Sequence, residues 1–192
     1  MDGISKSLRI YNNALFPSTS EYILDPIHSF AEFIAQHFIV GQVRGRFDSL
    51  EGKLVIMDDP SQSSLEISIA TATISTQNTM RDEDLRSVRF LDVDKFPLMI
   101  YRSTHFTPEL GGNWTVDGNL TIRDVTCPVS LEVSFCGIVD DPWGKTRAAF
   151  RGTTKINRKD FGLLTDLDQE TGGLLVGKDI VINFATEFML QA

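Results

Sequence analysis

The chain has 192 residues, which fits one domain, and 42% of them are apolar, enough for a sizeable core. Thirteen phenylalanines outnumber the three tyrosines and two tryptophans, so the aromatic rings favour a purely apolar interior over a hydrogen-bonding cleft. The net charge of −8 and the pI of about 4.8 argue against nucleic acid as a partner, because phosphate backbones are recognised by basic patches.

The N-terminal region shows no sustained periodicity over residues 1–20 and ends in the turn-like FPSTS. We therefore expect a loosely ordered arm there, followed by one domain over residues 21–192. The same region contains no apolar signal-peptide core, so the expected compartment is the cytoplasm; a chain trimmed of its signal peptide would belong in the periplasm. No apolar run reaches the length of a membrane-spanning helix, and no stable membrane insertion is expected.

Most of the remaining chain alternates apolar and polar residues with a period of two, the pattern of half-buried strands. Leu65, Ile67 and Ile69 alternate with polar or small neighbours, and the same pattern recurs in WTVDGNLTIR, VSLEVSFCGI and IVINFATEF. Turn-forming residues separate these runs, and no regular alternation of strands with helices is visible. The pattern predicts a mainly all-β fold in which an antiparallel sheet curls into a barrel or a sandwich.

Residues 75–97, STQNTMRDEDLRSVRFLDVDKFP, are the main exception to this period. Met80, Leu85 and Val88 have a rough helical spacing, with acidic residues in the first turn and arginines near the other end. Thr79 is the expected N-cap. The segment predicts a short, charge-balanced helix that crosses between two strands.

No enzyme motif rises above background. The sequence has no GxSxG elbow, no CxxC pair and no HExxH pair, and the spacing of His28, His37 and His105 does not support a zinc site. We therefore expect neither catalytic residues nor a metal or other cofactor.

Four segments in order resemble the YceI-like family, from about Tyr22 to Phe188. They are YILDPIHSFAEFIAQHFIVGQVRGRF, the strand end and helix STQNTMRDEDL with its phenylalanine-rich turn and proline, GNLTIRDVTCPVSL, and INRKDFGL, which matches the family's Arg-x-Asp-Phe-Gly. Each segment alone is a weak signal. Together, in order and with matching spacing, they are specific.

The resemblance implies a lipocalin-like, extended antiparallel β-barrel of about eight strands with short helices covering it. It also implies an elongated apolar cavity for a polyisoprenoid or another long-chain lipid, and a homodimer. The physics is consistent with this, since an eight-stranded barrel encloses a single ligand and lipid binding needs few polar groups. A bound isoprenoid or fatty-chain lipid is therefore the expected partner.

Phenylalanines are the candidates for lining this cavity: Phe30, Phe33, Phe38, Phe47, Phe135, Phe150, Phe184 and Phe188. His37, Arg81 and Asp82 are the candidates for contacting a polar head group. The alternative for these three is a structural network that locks the helix as a lid over the barrel.

Three functional hypotheses follow. The leading one is non-catalytic binding, transport or sequestration of a long-chain apolar lipid. The second is an enzyme acting on an isoprenoid or similar lipid, with His37 or an inward carboxylate as acid-base, which requires a titratable group with a strongly perturbed pKa at the cavity. The third is a stress-response interaction module with a fully packed barrel and an exposed apolar patch.

Overall fold

The computed structural model describes residues 8–11, 14–37, 40–164 and 176–191. Within these ranges the chain forms thirteen strands, one α-helix and four 3-10 turns. The strands are β1 (Leu8–Tyr11), β2 (Ala14–Pro17), β3 (Ser20–Leu24), β4 (Phe30–His37), β5 (Gly41–Phe47), β6 (Leu50–Ile56), β7 (Ser64–Ala70), β8 (Ile74–Ser75), β9 (Leu98–Pro108), β10 (Asn113–Ile122), β11 (Val125–Asp140), β12 (Thr146–Asn157) and β13 (Val176–Leu190). The helix is α1 (Thr79–Arg86), and the 3-10 turns are Pro60–Gln62, Thr71–Thr73, Leu110–Gly112 and Arg158–Phe161.

The sheet closes on itself through β13. This strand pairs with β12 along one edge, and with β4 and then β3 along the other edge. Strands β3 and β4 act as one long strand of the wall, and so do β5 and β6, and β7 and β8. With β9, β10, β11, β12 and β13 they form a closed eight-stranded antiparallel barrel. The predicted fold class is confirmed.

The wall is kinked between β3 and β4. Between the pairs Leu24–Phe188 and Phe30–Ala185, five residues of one strand face two residues of β13. The segment between β3 and β4 thus has three residues more than the facing segment of β13. Because three is an odd number, residues that would face outward before the kink face inward after it. Leu24 is buried before the kink, and the odd-numbered Ala31 is buried after it.

Strands β7 and β10 follow the predicted alternation. Leu65, Ile67 and Ile69 on β7 line the barrel interior. The inward residues of β10 are buried, with Trp114 and Val116 only 3% and 2% exposed. The period of two identified these inward faces correctly because neither stretch is interrupted by a face-changing kink.

The predicted helix is present as α1, but its N-cap is one residue earlier than expected. The side chain of Asn78, not Thr79, accepts a hydrogen bond from the backbone N–H of Arg81 at 3.0 Å. Asparagine is among the strongest N-cap residues, so the local chemistry is unchanged. The side chain of Arg86 in the last turn donates hydrogen bonds to the carbonyls of Ala72 and Ile74, which fix α1 against the end of the barrel.

The described part of residues 1–20 is not a loose arm. Strands β1 and β2 form an antiparallel hairpin, and β3 begins at Ser20. Phe16 on β2 is only 2% exposed. Burial of this ring against the barrel orders a segment whose local sequence carries little periodicity.

Candidate functional site: a divided cavity inside the barrel

The end of the barrel beneath the β1–β2 hairpin holds a cavity of about 120 Å³, which we call the hairpin chamber. Its lining is almost entirely apolar and includes Phe16, Trp114, Val116, Leu131, Phe150 and Phe188. No charged side chain belongs to this lining within the described residues. Apolar cavities of this kind bind apolar molecules in preference to water.

The opposite end, next to α1, holds a second cavity of about 220 Å³, which we call the helix chamber. Its apolar lining includes Phe33, Phe47, Leu85, Leu91, Met99 and Ile180. Four residues line both chambers and form a waist between them: Ala31, Ile69, Leu120 and Ile182. The two chambers are therefore consecutive parts of one elongated interior.

Charged residues reach the interior at the helix chamber. Arg81 and Asp84 come from α1, and Arg158 comes from the 3-10 turn after β12. Both signs are present, so the chamber presents donors and acceptors beside a wide apolar surface. This arrangement suits a molecule with an apolar chain and a polar end.

Arg158 is the most constrained of these charges, and sequence reasoning did not select it. Its side chain is 6% exposed, and the guanidinium donates to the carbonyls of Leu163, Val176 and Gly177, the last at 3.1 Å. These bonds tie the 3-10 turn to the start of β13. In the sequence, Arg158 stands out only as the first residue of the Arg-x-Asp-Phe-Gly match. That match indicated the family, but it did not indicate that the arginine lines a cavity.

Arg81 and Asp82, two of the three head-group candidates, have separate roles in one network around Thr76. Asp82 is 6% exposed and accepts from the backbone N–H of Thr76 at 2.8 Å, and Arg81 donates through Nε to the Thr76 hydroxyl at 2.7 Å. Arg81 also lines the helix chamber, whereas Asp82 does not. The network fixes α1 over the barrel end, and the inclusion of His37 in such a network stays a prediction.

His37, the third head-group candidate, lies at the end of β4, opposite Gly41 in the β4–β5 pairing. It is half-buried and does not line either chamber. A contact between His37 or Asp82 and a head group stays a prediction.

The eight phenylalanine candidates divide by position. Phe33 and Phe47 line the helix chamber, and Phe150, Phe184 and Phe188 line the hairpin chamber. Phe135 packs on Phe150 with ring centroids 5.3 Å apart and lines neither chamber, and Phe38 lies outside the described residues.

Phe30 is a correction to the proposed lining. It is 38% exposed and lines neither chamber. Phe30 and Phe33 have opposite parity on β4, so one strand cannot direct both inward. The kink before β4 decides in favour of Phe33.

An ion-pair cluster holds the kink between β3 and β4, centred on Arg147. Its guanidinium contacts the carboxylate of Asp25, the Asp141 Oδ2 atom at 2.8 Å and the Glu187 Oε2 atom at 3.2 Å, and the ring of His28 bonds to Asp25 at 2.9 Å. Burial raises the pKa of the Asp25 carboxyl, but hydrogen bonds from Arg147 and His28 outweigh it and hold that pKa well below its ordinary value.

The same cluster brings ligand atoms of Asp25, His28 and Glu187 within 4.8 Å of one another, a geometry that a metal ion uses. The Arg147 guanidinium already contacts the carboxylates of Asp25 and Glu187, and its charge opposes a cation. We interpret the cluster as a structural network that locks the kink onto β13.

Among the described residues of the lining, Tyr101 has a strongly perturbed pKa. Burial raises the pKa of its hydroxyl far above the ordinary value, and the nearby charge of Asp117 adds to this. The hydroxyl donates to the carbonyl of Val116 at 2.8 Å. It is therefore protonated and held against the wall, which is a poor arrangement for acid-base chemistry.

The sequence comparisons agree with the fold. The YceI-like domain matches residues 22–188 of the chain. The protein YceI of Salmonella newport is 38% identical over 151 residues, which cover 77% of this chain and 78% of that protein. The protein YceI of Salmonella arizonae has the same identity and coverage.

Solved structures share the barrel at low sequence identity. BcnA of Burkholderia cenocepacia superposes with a TM-score of 0.75 at 19% identity, covering 85% of this chain and 98% of that one. The YceI protein of Campylobacter jejuni has a TM-score of 0.68 at 23% identity, covering 82% and 90%. A polyisoprenoid binding domain from Saccharophagus degradans has a TM-score of 0.66 at 14% identity, covering 91% and 100%. Among the described residues, no helix combines the length and apolar character needed to cross a membrane.

Proposed function

The chain belongs to the YceI-like family, and we propose that its barrel binds one long-chain apolar lipid and transports or sequesters it without converting it. The lipid is of the polyisoprenoid, isoprenoid quinone or fatty-acid and fatty-amide type. One observation carries the proposal. The two apolar chambers share a waist and form a single elongated interior.

The energetics of this interior favour such a ligand. Each buried CH₂ contributes roughly 0.8 kcal/mol, so a chain of ~10 carbons gives about 8 kcal/mol before the costs of ordering and association. Unfilled interior space lacks these contacts and costs stability. A lipid that occupies both chambers recovers them, and the Saccharophagus degradans neighbour described as polyisoprenoid binding supports the same ligand class.

Tyr101 argues against the enzyme hypothesis. It is the cavity-lining group with a strongly perturbed pKa among the described residues, and its hydroxyl is already bonded to the backbone of Val116. A general acid-base must reach the proton that it transfers. The cavities themselves argue against the fully packed interaction module.

The positions of the charges orient the ligand in this proposal. The polar end lies in the helix chamber near Arg81 and Arg158, and the apolar chain runs through the waist into the hairpin chamber. A homodimer and a cytoplasmic location stay predictions that accompany it.

Native mass spectrometry of protein purified without detergent tests the binding. We expect an apolar adduct that is lost under denaturing conditions, or uptake of added geranylgeraniol by protein that was purified free of lipid. Extraction of the added lipid with its mass unchanged after prolonged incubation supports the non-catalytic role. Protein that neither carries nor takes up any apolar molecule contradicts the proposal, and a lipid recovered with an altered mass supports the enzyme hypothesis.

A further inference from the structure

We propose that the β1–β2 hairpin closes one end of the lipid cavity and that Phe16 sets the longest chain the barrel accepts. The inference rests on the proposed lipid binding and adds a determinant of ligand length to it. The hairpin lies outside the family match, which covers residues 22–188.

Phe16 is placed where it limits how far a lipid chain extends into the hairpin chamber. Its ring lines the hairpin chamber, is 2% exposed, and belongs to the hairpin at this end of the barrel. The ring packs on Trp114 with centroids 4.1 Å apart and planes inclined by 31°. Tyr11 on β1 adds a third ring, whose centroid is 6.0 Å from that of Trp114. An apolar chain that extends through the hairpin chamber meets this aromatic cluster.

The hairpin is attached on more than one side of the barrel opening. Arg9 on β1 donates to the backbone carbonyls of Met57 and Asp58, which follow β6, the second bond being 2.8 Å long. Strand β2 packs against β11 and against the 3-10 turn Leu110–Gly112 between β9 and β10. The hairpin thus spans from the β6 side of the opening to the β10 and β11 side.

The attachment and the stop are adjacent, but they depend on different groups. Arg9 holds the hairpin through hydrogen bonds to the backbone carbonyls of Met57 and Asp58, which do not line the cavity. Its guanidinium also lies over the Phe16 ring, 5.7 Å from the centroid, a cation–π contact that adds to these bonds without replacing them. The size of the ring at position 16 therefore determines the cavity length while Arg9 holds the hairpin in place. A phenyl ring fills about the space of one isoprene unit, so truncating it frees room for about one more unit.

Three variants of the full chain test this: Phe16→Ala, Phe16→Trp and the control Phe30→Ala. Phe30 is a phenylalanine on the outer surface, 38% exposed. The probes are geraniol, farnesol, geranylgeraniol and solanesol, offered in competition and detected as complexes by native mass spectrometry. Thermal unfolding followed by circular dichroism establishes that each variant is folded.

We expect Phe16→Ala to shift the preferred alcohol towards the longer probes, with tighter binding of the longer one by roughly tenfold or more. Phe16→Trp should shift the preference towards the shorter probes, a change in the opposite direction that general destabilisation does not produce. Phe30→Ala should keep the preference of the unmodified chain. If Phe16→Ala does not fold, Phe16→Leu should give the same shift in smaller measure.

The outcomes separate the two proposals. A chain that binds the alcohols with the same length preference in all variants overturns the role of Phe16 and leaves lipid binding intact. If neither the unmodified chain nor the Phe30→Ala control binds any of the alcohols, both proposals are overturned.

Discussion

The hairpin chamber and the helix chamber differ in charge although the same barrel builds both. The hairpin chamber has no charged residue in its described lining and ends on the rings of Phe16 and Trp114. The helix chamber has Arg81 and Asp84 from α1 and Arg158 from a 3-10 turn. The difference therefore comes mainly from the segments that cap the barrel, since most of the strands contribute apolar residues to both chambers.

The two caps turn a uniformly apolar barrel wall into an interior that is charged at one end and apolar at the other. Alternating strands make an apolar interior everywhere, and the two caps then decide which end carries charge. A lipid with a polar end has a preferred direction in such an interior, since burying an unpaired charge or dipole in the hairpin chamber is costly. Four changes test the comparison.

The largest effect is expected where the helix chamber depends on a buried charge. Arg158→Leu removes the donor for three backbone carbonyls, and we expect the free energy of unfolding to fall by about 3 kcal/mol. Urea denaturation followed by circular dichroism measures this. The matched control is Arg151→Leu, an exposed arginine on the same sheet, which should change stability by less than about 0.5 kcal/mol. Equal losses in both variants would contradict the structural role of Arg158.

The waist tests whether the chambers act as one site. Leu120→Trp enlarges a residue that lines both chambers, and we expect geranylgeraniol to bind about thirtyfold more weakly, ~2 kcal/mol, because its chain no longer passes between them. Geraniol fits one chamber and should change by less than about threefold. The control is Asn119→Trp on the outer face of β10. Parallel losses for both alcohols would show that the chambers bind independently.

The kink joins the two halves of the wall, and its contribution depends on pH. The Asp25 pKa is lower in the folded chain than in the unfolded chain, so the stabilisation is complete at neutral pH and is lost as the pH falls below about 4 towards the folded pKa. Asp25→Asn should lower the free energy of unfolding by about 1.5 kcal/mol at neutral pH.

The difference between Asp25→Asn and the unmodified chain should then shrink as the pH falls, in denaturation curves measured at a series of pH values. Asp48→Asn is the control, because the Asp48 side chain is 46% exposed in its pair with Arg46 and such pairs contribute little. A difference that stays constant with pH would show that Asp25 acts through packing alone.

The smallest effect concerns the head group. Arg81→Gln removes a positive charge from the helix chamber, and we expect a fatty acid to lose about fivefold in affinity, ~1 kcal/mol, relative to the alcohol of the same chain length. Arg89→Gln is the control, since the Arg89 side chain is 56% exposed. Isothermal titration with both lipids measures the ratio. Equal losses for acid and alcohol would mean that the charge of Arg81 does not face the head group.

Much of the barrel could be predicted because its information is local. Leu65, Ile67 and Ile69 lie on one unbroken strand, so their common face follows from backbone geometry. The helix over residues 79–86 follows from its spacing and terminal charges. Five of the eight proposed phenylalanines line the chambers, four of them on strands other than the kinked β4.

The errors lie where distant segments decide. Phe30 faces outward because the Asp25–Ser29 kink shifts the register against β13, far away in the chain. Arg147 and Arg158 were not selected because their partners are separated from them in sequence or belong to the backbone. The hairpin that places Phe16 over the cavity is ordered by contact with Trp114, which no local pattern indicates.

Four ordered segments of the chain indicated the family, and periodicity and composition indicated the faces of the unkinked strands and the apolar character of the interior, since each of these signals is local in the chain. The division and capping of that interior have no such local signal. Closure through β13, the parity change at the kink and the placement of the caps depend on side chains that meet after folding. The same apolar wall thus became a cavity with a charged end at α1 and an aromatic end at Phe16.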